Sequence, residues 1–136
     1  MKILLIICLL LSGCSMVQPQ VIINDHIIKI EIADTDEQHY NGLSNREEIC
    51  KTCGMLFVFS EKTEPEFVMR NMNFPLDIIW INNEKIVKID NDLSVEGAEP
   101  ANKYSPGQPV DYVLEVNAGL AEEFGFSIGD NVIIIL

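Results

Sequence analysis

The most reactive spacing in this chain belongs to two cysteines separated by two residues, Cys50-Lys51-Thr52-Cys53. Such a pair can close a small disulfide, cycle as a dithiol, or supply half of a metal site. Redox cycling favours a first thiol at a helix N-terminus, where its pKa falls. Here Gly54 and the apolar run Met55 to Phe59 follow, and they read as a strand. A zinc site needs a second ligand pair, for which only His26 and His39 remain. A structural bridge between Cys50 and Cys53 is therefore expected; so small a loop is stabilised by about 2 kcal/mol on the chain-entropy account. Met69-Arg70-Asn71-Met72 has the spacing of thioether ligands for copper(I), but residues three apart on a strand point to opposite faces. Met69 is expected in the core instead.

Arg46, Asn71, Asp77 and Glu115 are polar residues set among apolar neighbours, so some of them are half-buried and need partners. Arg46 follows a short predicted helix, and Asn71 and Asp77 bracket Pro75 between two strands. One arrangement is an internal network in which Arg46 forks onto Asp77 and orders the loops. The other is a polar pocket for a small molecule or peptide, with Glu115 and Tyr104 at its rim and Arg46 clamping a carboxylate. The network is the favoured reading, because ionisable groups also gather in purely structural clusters. Catalytic motifs are absent: there is no Gly-x-Ser-x-Gly, no His-Glu-x-x-His and no phosphate loop. Asp90/Asp92 and Glu122/Glu123 read as solvated surface charge. No catalytic residue, metal ligand or cofactor is assigned.

The start of the chain gives its address. Lys2 precedes nine apolar residues, Ile3 to Leu11, which is too short to span a bilayer and suits a signal-peptide core. Leu11-Ser12-Gly13-Cys14 follows and resembles the lipobox of bacterial lipoproteins. That resemblance implies removal of residues 1–13 and a lipidated Cys14, leaving 123 of the 136 residues. Residues 14–20 would then be a short tether and 21–136 a single β-rich domain. Ser15 stands where aspartate commonly signals inner-membrane retention, so the outer membrane is expected if the cell has two, and otherwise the outer face of the plasma membrane. The full chain carries 21 acidic and 9 basic residues, a net charge of −12. Losing Lys2 makes the mature chain more acidic still. Such a balance opposes nucleic-acid binding and electrostatic docking on anionic lipid, so the membrane link must be the lipid itself.

The elements that position these residues are mostly short strands. Gln20 to Asn24 and His26 to Ala33 flank an Asn-Asp turn, and Thr35-Asp36-Glu37-Gln38 has the form of a capping box opening a helix that Gly42 closes. Further strands are expected at Met55–Phe59, Phe67–Met69, Leu76–Ile81, Lys85–Ile89 and Asp111–Val116, with a hairpin turn at Asn82-Asn83-Glu84. Asn91 to Val110 reads as a long loop of functional interest. Asn117 is expected to cap a short helix ending at Gly125. Val132 to Leu136 lacks alternation and is expected as a central strand covered on both faces. Seven or eight short strands and two short helices make a mainly β fold, either a β-sandwich or a partly closed barrel.

From Gly42 to Asp130 the order of features is specific. Gly42-Leu43 with Arg46, Gly54-Met55-Leu56-Phe57-Val58-Phe59, Phe67-Val68-Met69-Arg70-Asn71, and Pro75-Leu76-Asp77 come first. Tyr104, Tyr112-Val113-Leu114-Glu115-Val116 with Ala118-Gly119, and Gly129-Asp130 complete the series. This pattern resembles the bacterial and archaeal family called domain of unknown function 192. The resemblance implies a small, mainly β, often exported domain and assigns no activity. Five positions depart from the family pattern: His39 for the common Arg, Ser44 for Met, Val68 for Trp, Arg70 for Lys and Met72 for Thr.

Three functions fit these features. The leading one is a lipid-anchored, non-catalytic binding or accessory domain of the cell envelope. The second is an envelope enzyme using Asp77 or Glu115 as acid or base, which a carboxyl of strongly raised pKa in a cleft would favour. The third is a metal or redox protein using Cys50 and Cys53.

Overall fold

The computed structural model describes residues 17–136, so the expected signal peptide and Cys14 lie outside the described residues. Among the described residues seven strands form: β1 (Gln20–Ile23), β2 (His26–Ala33), β3 (Cys53–Thr63), β4 (Leu76–Asn82), β5 (Lys85–Leu93), β6 (Val110–Asn117) and β7 (Val132–Ile135). Two short helices accompany them, α1 (Asp36–Asn41) after β2 and α2 (Leu120–Glu123) after β6. The hairpins β1–β2 and β4–β5 turn on Asn24-Asp25 and Asn83-Glu84, all four residues with positive φ between 49° and 65°. A left-handed pair of this kind matches the twist of the strands it joins. β2 and β3 are parallel, and α1 lies in the crossover that such a pair requires.

All seven strands belong to one sheet in the order β5-β4-β6-β3-β2-β1-β7. The fold is therefore a curled half-barrel, not a two-sheet sandwich. Its edges meet at one end only: Lys85 bridges Asn131, the Ile86 N–H donates to the Asp130 carbonyl at 3.0 Å, and the Val132 N–H donates to the Glu84 carbonyl at 2.8 Å. Period-two alternation divides the strands from β2 to β6 between two apolar clusters, while β1 and β7 contribute to the inner one alone. On β4, Ile79 and Ile81 point inward while Leu76, Ile78 and Trp80 point outward. The inner cluster gathers Val21, Ile28, Leu56, Leu114 and Val116, and α2 and its flank add Leu120, Ala121 and Phe126. The outer cluster covers β3, β6 and β4 with Leu43, Met69 and Met72 from the connecting segments and Leu93 from the end of β5.

Several local expectations change. Val132–Ile135 is an edge strand paired with β1, not a central one, and Ile133 is 57% exposed. Its unbroken apolar run is accommodated because one face closes the barrel while the other is bare. Asn117 does not cap α2; its amide donates to the Cys50 carbonyl at 2.9 Å, and Gly119 takes the cap position. Phe67–Met69 forms no strand beyond a single bridge to Tyr104. β5 continues to Leu93, which shortens the long loop. That loop is ordered by Glu96, whose carboxylate accepts from the backbone N–H groups of Ala101 and Asn102.

Candidate functional site

α1 begins as its sequence dictates. The Thr35 hydroxyl accepts the Gln38 N–H at 3.2 Å, and the Gln38 side chain accepts the Thr35 N–H at 3.1 Å. The helix ends at Gly42 with φ of 47°, a conformation that favours glycine. A Cβ at Gly42 would lie 3.4 Å from the Phe57 ring and 3.9 Å from Glu115 Oε2. The helix terminus thus rests directly above one carboxyl of the sheet.

Glu115 lies on β6 between Met55 of β3 and Ile78 of β4, facing the outer cluster. Close approach of the strands is possible because Gly54 has no side chain: a Cβ there would sit 2.5 Å from the Glu115 carbonyl oxygen. Glu115 is 5% exposed, and burial pushes its carboxyl up to about 8 with no charged partner or hydrogen bond to offset it. Above it opens a cleft of about 350 Å³. Phe57 and Glu115 lie deepest, Phe59, Phe67, Val68 and Met72 supply apolar walls, and His39, Tyr40, Ser44 and Arg70 stand at the mouth. Phe57 and Phe67 meet edge to face at 4.8 Å. The His39 Nε2 lies 2.9 Å from the Ala33 carbonyl, and its ring centroid is 5.0 Å from that of Phe59. Arg70 stacks 3.9 Å over the Tyr40 ring and donates to the Tyr40 carbonyl at 2.7 Å. The Ser44 hydroxyl donates to the Arg70 carbonyl at 2.7 Å, tying the two lips together.

The residues expected to share one pocket separate here. Glu115 alone of the five lines the cleft. Arg46 does not fork onto Asp77; it forks onto Glu31 at 2.6 and 2.8 Å in a neighbouring groove, and its hydrogen bond holds the Glu31 carboxyl below the usual carboxylate range. Asp77 is fully buried on the opposite, inner face, accepting the Asp92 N–H at 2.8 Å and the Ala121 N–H at 3.0 Å. It supplies the helix cap that α2 lacks locally. The cause of the separation is pleat: Asp77 pairs with Val116 and Ile78 with Glu115, so adjacent register positions face opposite ways. Asn71 works through its backbone, with φ of 51°, an N–H donated to Gly97 and a carbonyl accepting from Asn45. Tyr104 pairs with Phe67 by two backbone hydrogen bonds; burial and the nearby Glu96 and Asp90 raise its pKa. Cys50 and Cys53 are joined, with an S–S distance of 2.04 Å.

Residue typing alone did not single out His39, Arg70 or Phe67 as neighbours of Glu115. A signal was present nonetheless. All five departures from the family pattern, His39, Ser44, Val68, Arg70 and Met72, line this cleft.

A curled half-barrel carrying an aromatic-walled cleft over one buried carboxyl defines a small, mainly β domain. The chain belongs to the family DUF192 (Uncharacterized ACR), whose pattern matches residues 20–134. A protein of unknown function from Novosphingobium aromaticivorans is similar at 28% identity and a TM-score of 0.78, over 90% of this chain and 89% of its own. A Sinorhizobium meliloti protein, which carries the provisional name of a transcription regulator, is similar at 28% identity and a TM-score of 0.79, over 90% and 98%. No curated protein matches the chain.

Proposed function

We propose that this protein is a lipid-anchored envelope domain that binds a small ligand in the cleft above Glu115 without transforming it. The carrying observation is the Glu115 carboxyl, buried among aromatic side chains and lacking any partner of its own. A buried polar group left unpaired is costly, and a ligand that reaches it removes that cost. Below pH 8 the carboxyl is protonated and donates to an acceptor on an otherwise apolar ligand. Arg70 at the mouth offers a second polar contact, and the lipobox-like start supports the anchoring. The name of the Sinorhizobium relative does not extend here, because 21 acidic residues against 9 basic ones oppose a phosphate backbone.

The raised pKa of Glu115 supports a second reading, an envelope enzyme with Glu115 as general acid. Acid catalysis needs a nucleophile or base beside it; His39 and Glu66 line the same cleft, but neither is hydrogen-bonded to Glu115. Asp77 is unsuited to the role, since both its oxygens already accept backbone N–H groups.

The test is a thermal-shift screen of small acceptor-bearing ligands against the protein and Glu115→Gln, well below and well above pH 8. A ligand bound below pH 8, weakened above it and unaltered chemically is the expected result. Turnover of any hit, lost in Glu115→Gln, would replace binding by catalysis.

A further inference from the structure

The outer face of the sheet is covered over β3, β6, β4 and residues 31–33 at the end of β2, where Ala33 joins the outer cluster and Arg46 pairs with Glu31. It is bare over β1, β7 and residues 27–29 of β2. On the bare part the register sets Ile27 of β2, Ile22 of β1 and Ile133 of β7 in one cross-strand row. Ile27 is 52% and Ile133 57% exposed. Cross-strand neighbours on one face stand within side-chain reach, so the three make a continuous apolar ridge. The next row is Lys29, Gln20 and Ile135. Among these six outward residues the single charge is positive, in a chain whose net charge is −12. Val17, at the start of the described chain, is 67% exposed and apolar as well.

The chain leading to this face says what covers it. The Pro19 carbonyl accepts the Ile30 N–H at 3.1 Å, so the chain is fixed to the sheet from Pro19 onward. Cys14 lies five residues before Pro19, and an extended chain of that length reaches at most about 18 Å. A lipid on Cys14 therefore holds the β2–β1–β7 end of the sheet close to the bilayer. Among the described residues no helix is long and apolar enough to cross a membrane.

We infer that the ridge of Ile22, Ile27 and Ile133 is a membrane-docking surface that seats this domain, face down, on the bilayer holding its anchor. The inference rests on lipidation of Cys14 and adds an orientation to it. Isoleucine side chains enter the interfacial region while Lys29 meets lipid phosphate, and the acidic remainder of the surface faces water. The anchor supplies attachment, the ridge supplies orientation.

The test uses the full chain, matured in bacteria and reconstituted in phosphatidylethanolamine/phosphatidylglycerol vesicles. Ile133→Cys and, as a control, Glu99→Cys on the exposed loop after β5 are each labelled with an environment-sensitive fluorophore. Intact mass reports on Cys14 separately. The expected result is a lipidated Cys14, with several-fold stronger quenching by bromolipid at position 133 than at 99, and iodide quenching in the reverse order. Adding Ile27→Glu to the labelled Ile133→Cys protein should leave Cys14 lipidation and circular dichroism unchanged and erase the contrast. Equal quenching at both positions on a lipidated protein overturns the docking face and spares the anchor. An unmodified Cys14 overturns both. Shielding at position 133 that persists in detergent, together with a dimer mass, assigns the ridge to a second copy and overturns the proposal.

Discussion

Asp77 and Glu115 sit on neighbouring strands, one register step apart, and both are buried, yet they behave as different kinds of residue. Asp77 faces the barrel interior and accepts two backbone N–H groups, one from β5 and one from the first turn of α2. Glu115 faces outward, lines a cleft with aromatic walls, and has only desolvation acting on it. Burial does not by itself mark a site; the difference lies in whether the fold supplies the hydrogen bonds. A carboxylate that the backbone satisfies is part of the scaffold. One left unsatisfied beside a cleft is poised for something outside the chain.

The comparison breaks most directly at Asp77. Asp77→Ala leaves one buried and one part-buried N–H donor unpaired and unseats α2 from the barrel end, and should cost about 3 kcal/mol, read by chemical denaturation. A loss below about 1 kcal/mol would show that water or backbone relaxation satisfies those donors, and the scaffold role would fall.

The pH dependence of stability sharpens the other side. The folded state holds the Glu115 proton up to about pH 8, whereas the carboxyl's ordinary value is 4.5. Stability linked to this group is fully present below pH 4.5 and is lost as the pH rises towards 8, because the unfolded chain then binds fewer protons than the folded one. Across that window the loss should be on the order of 5 kcal/mol, and Glu115→Gln should abolish it. Identical pH profiles for the two proteins would mean that Glu115 is solvated after all.

Arg46 gives the smallest effect. Its fork onto Glu31 is solvent-exposed on both sides, so Arg46→Ala should cost less than about 1 kcal/mol and leave the pH profile of Glu115 unaltered. A loss of several kcal/mol, which a buried Arg46–Asp77 pair would have produced, would contradict the geometry.

Much of the scaffold is legible in the chain. The capping box at Thr35–Gln38, the Asn-Asp turn at 24–25, the alternating isoleucines of β2 and the close cysteine pair form where their local chemistry places them. The errors share a cause. Asn117 and Val132–Ile135 have clear local preferences, and in each the partner comes from far along the chain: Cys50 for Asn117, and a barrel seam with only its first residues closed for β7. The candidate site was legible only as a list. Arg46, Asn71, Asp77, Tyr104 and Glu115 are polar residues in a distinctive frame, and nothing in their order says which of them share a face.

The sequence by itself determined the elements, the acidic balance, the disulfide pair and the membership of a β family, because hydrophobic period, turn chemistry and charge are local properties. Tertiary structure alone decided that Glu115 lies under α1 without a partner, that Asp77 caps a helix 43 residues away at Leu120, and that three isoleucines on three strands, Ile27 and Ile133 exposed and Ile22 half-buried between them, form one outward row. Those facts depend on pleat and register, where a one-residue step moves a side chain to the opposite face.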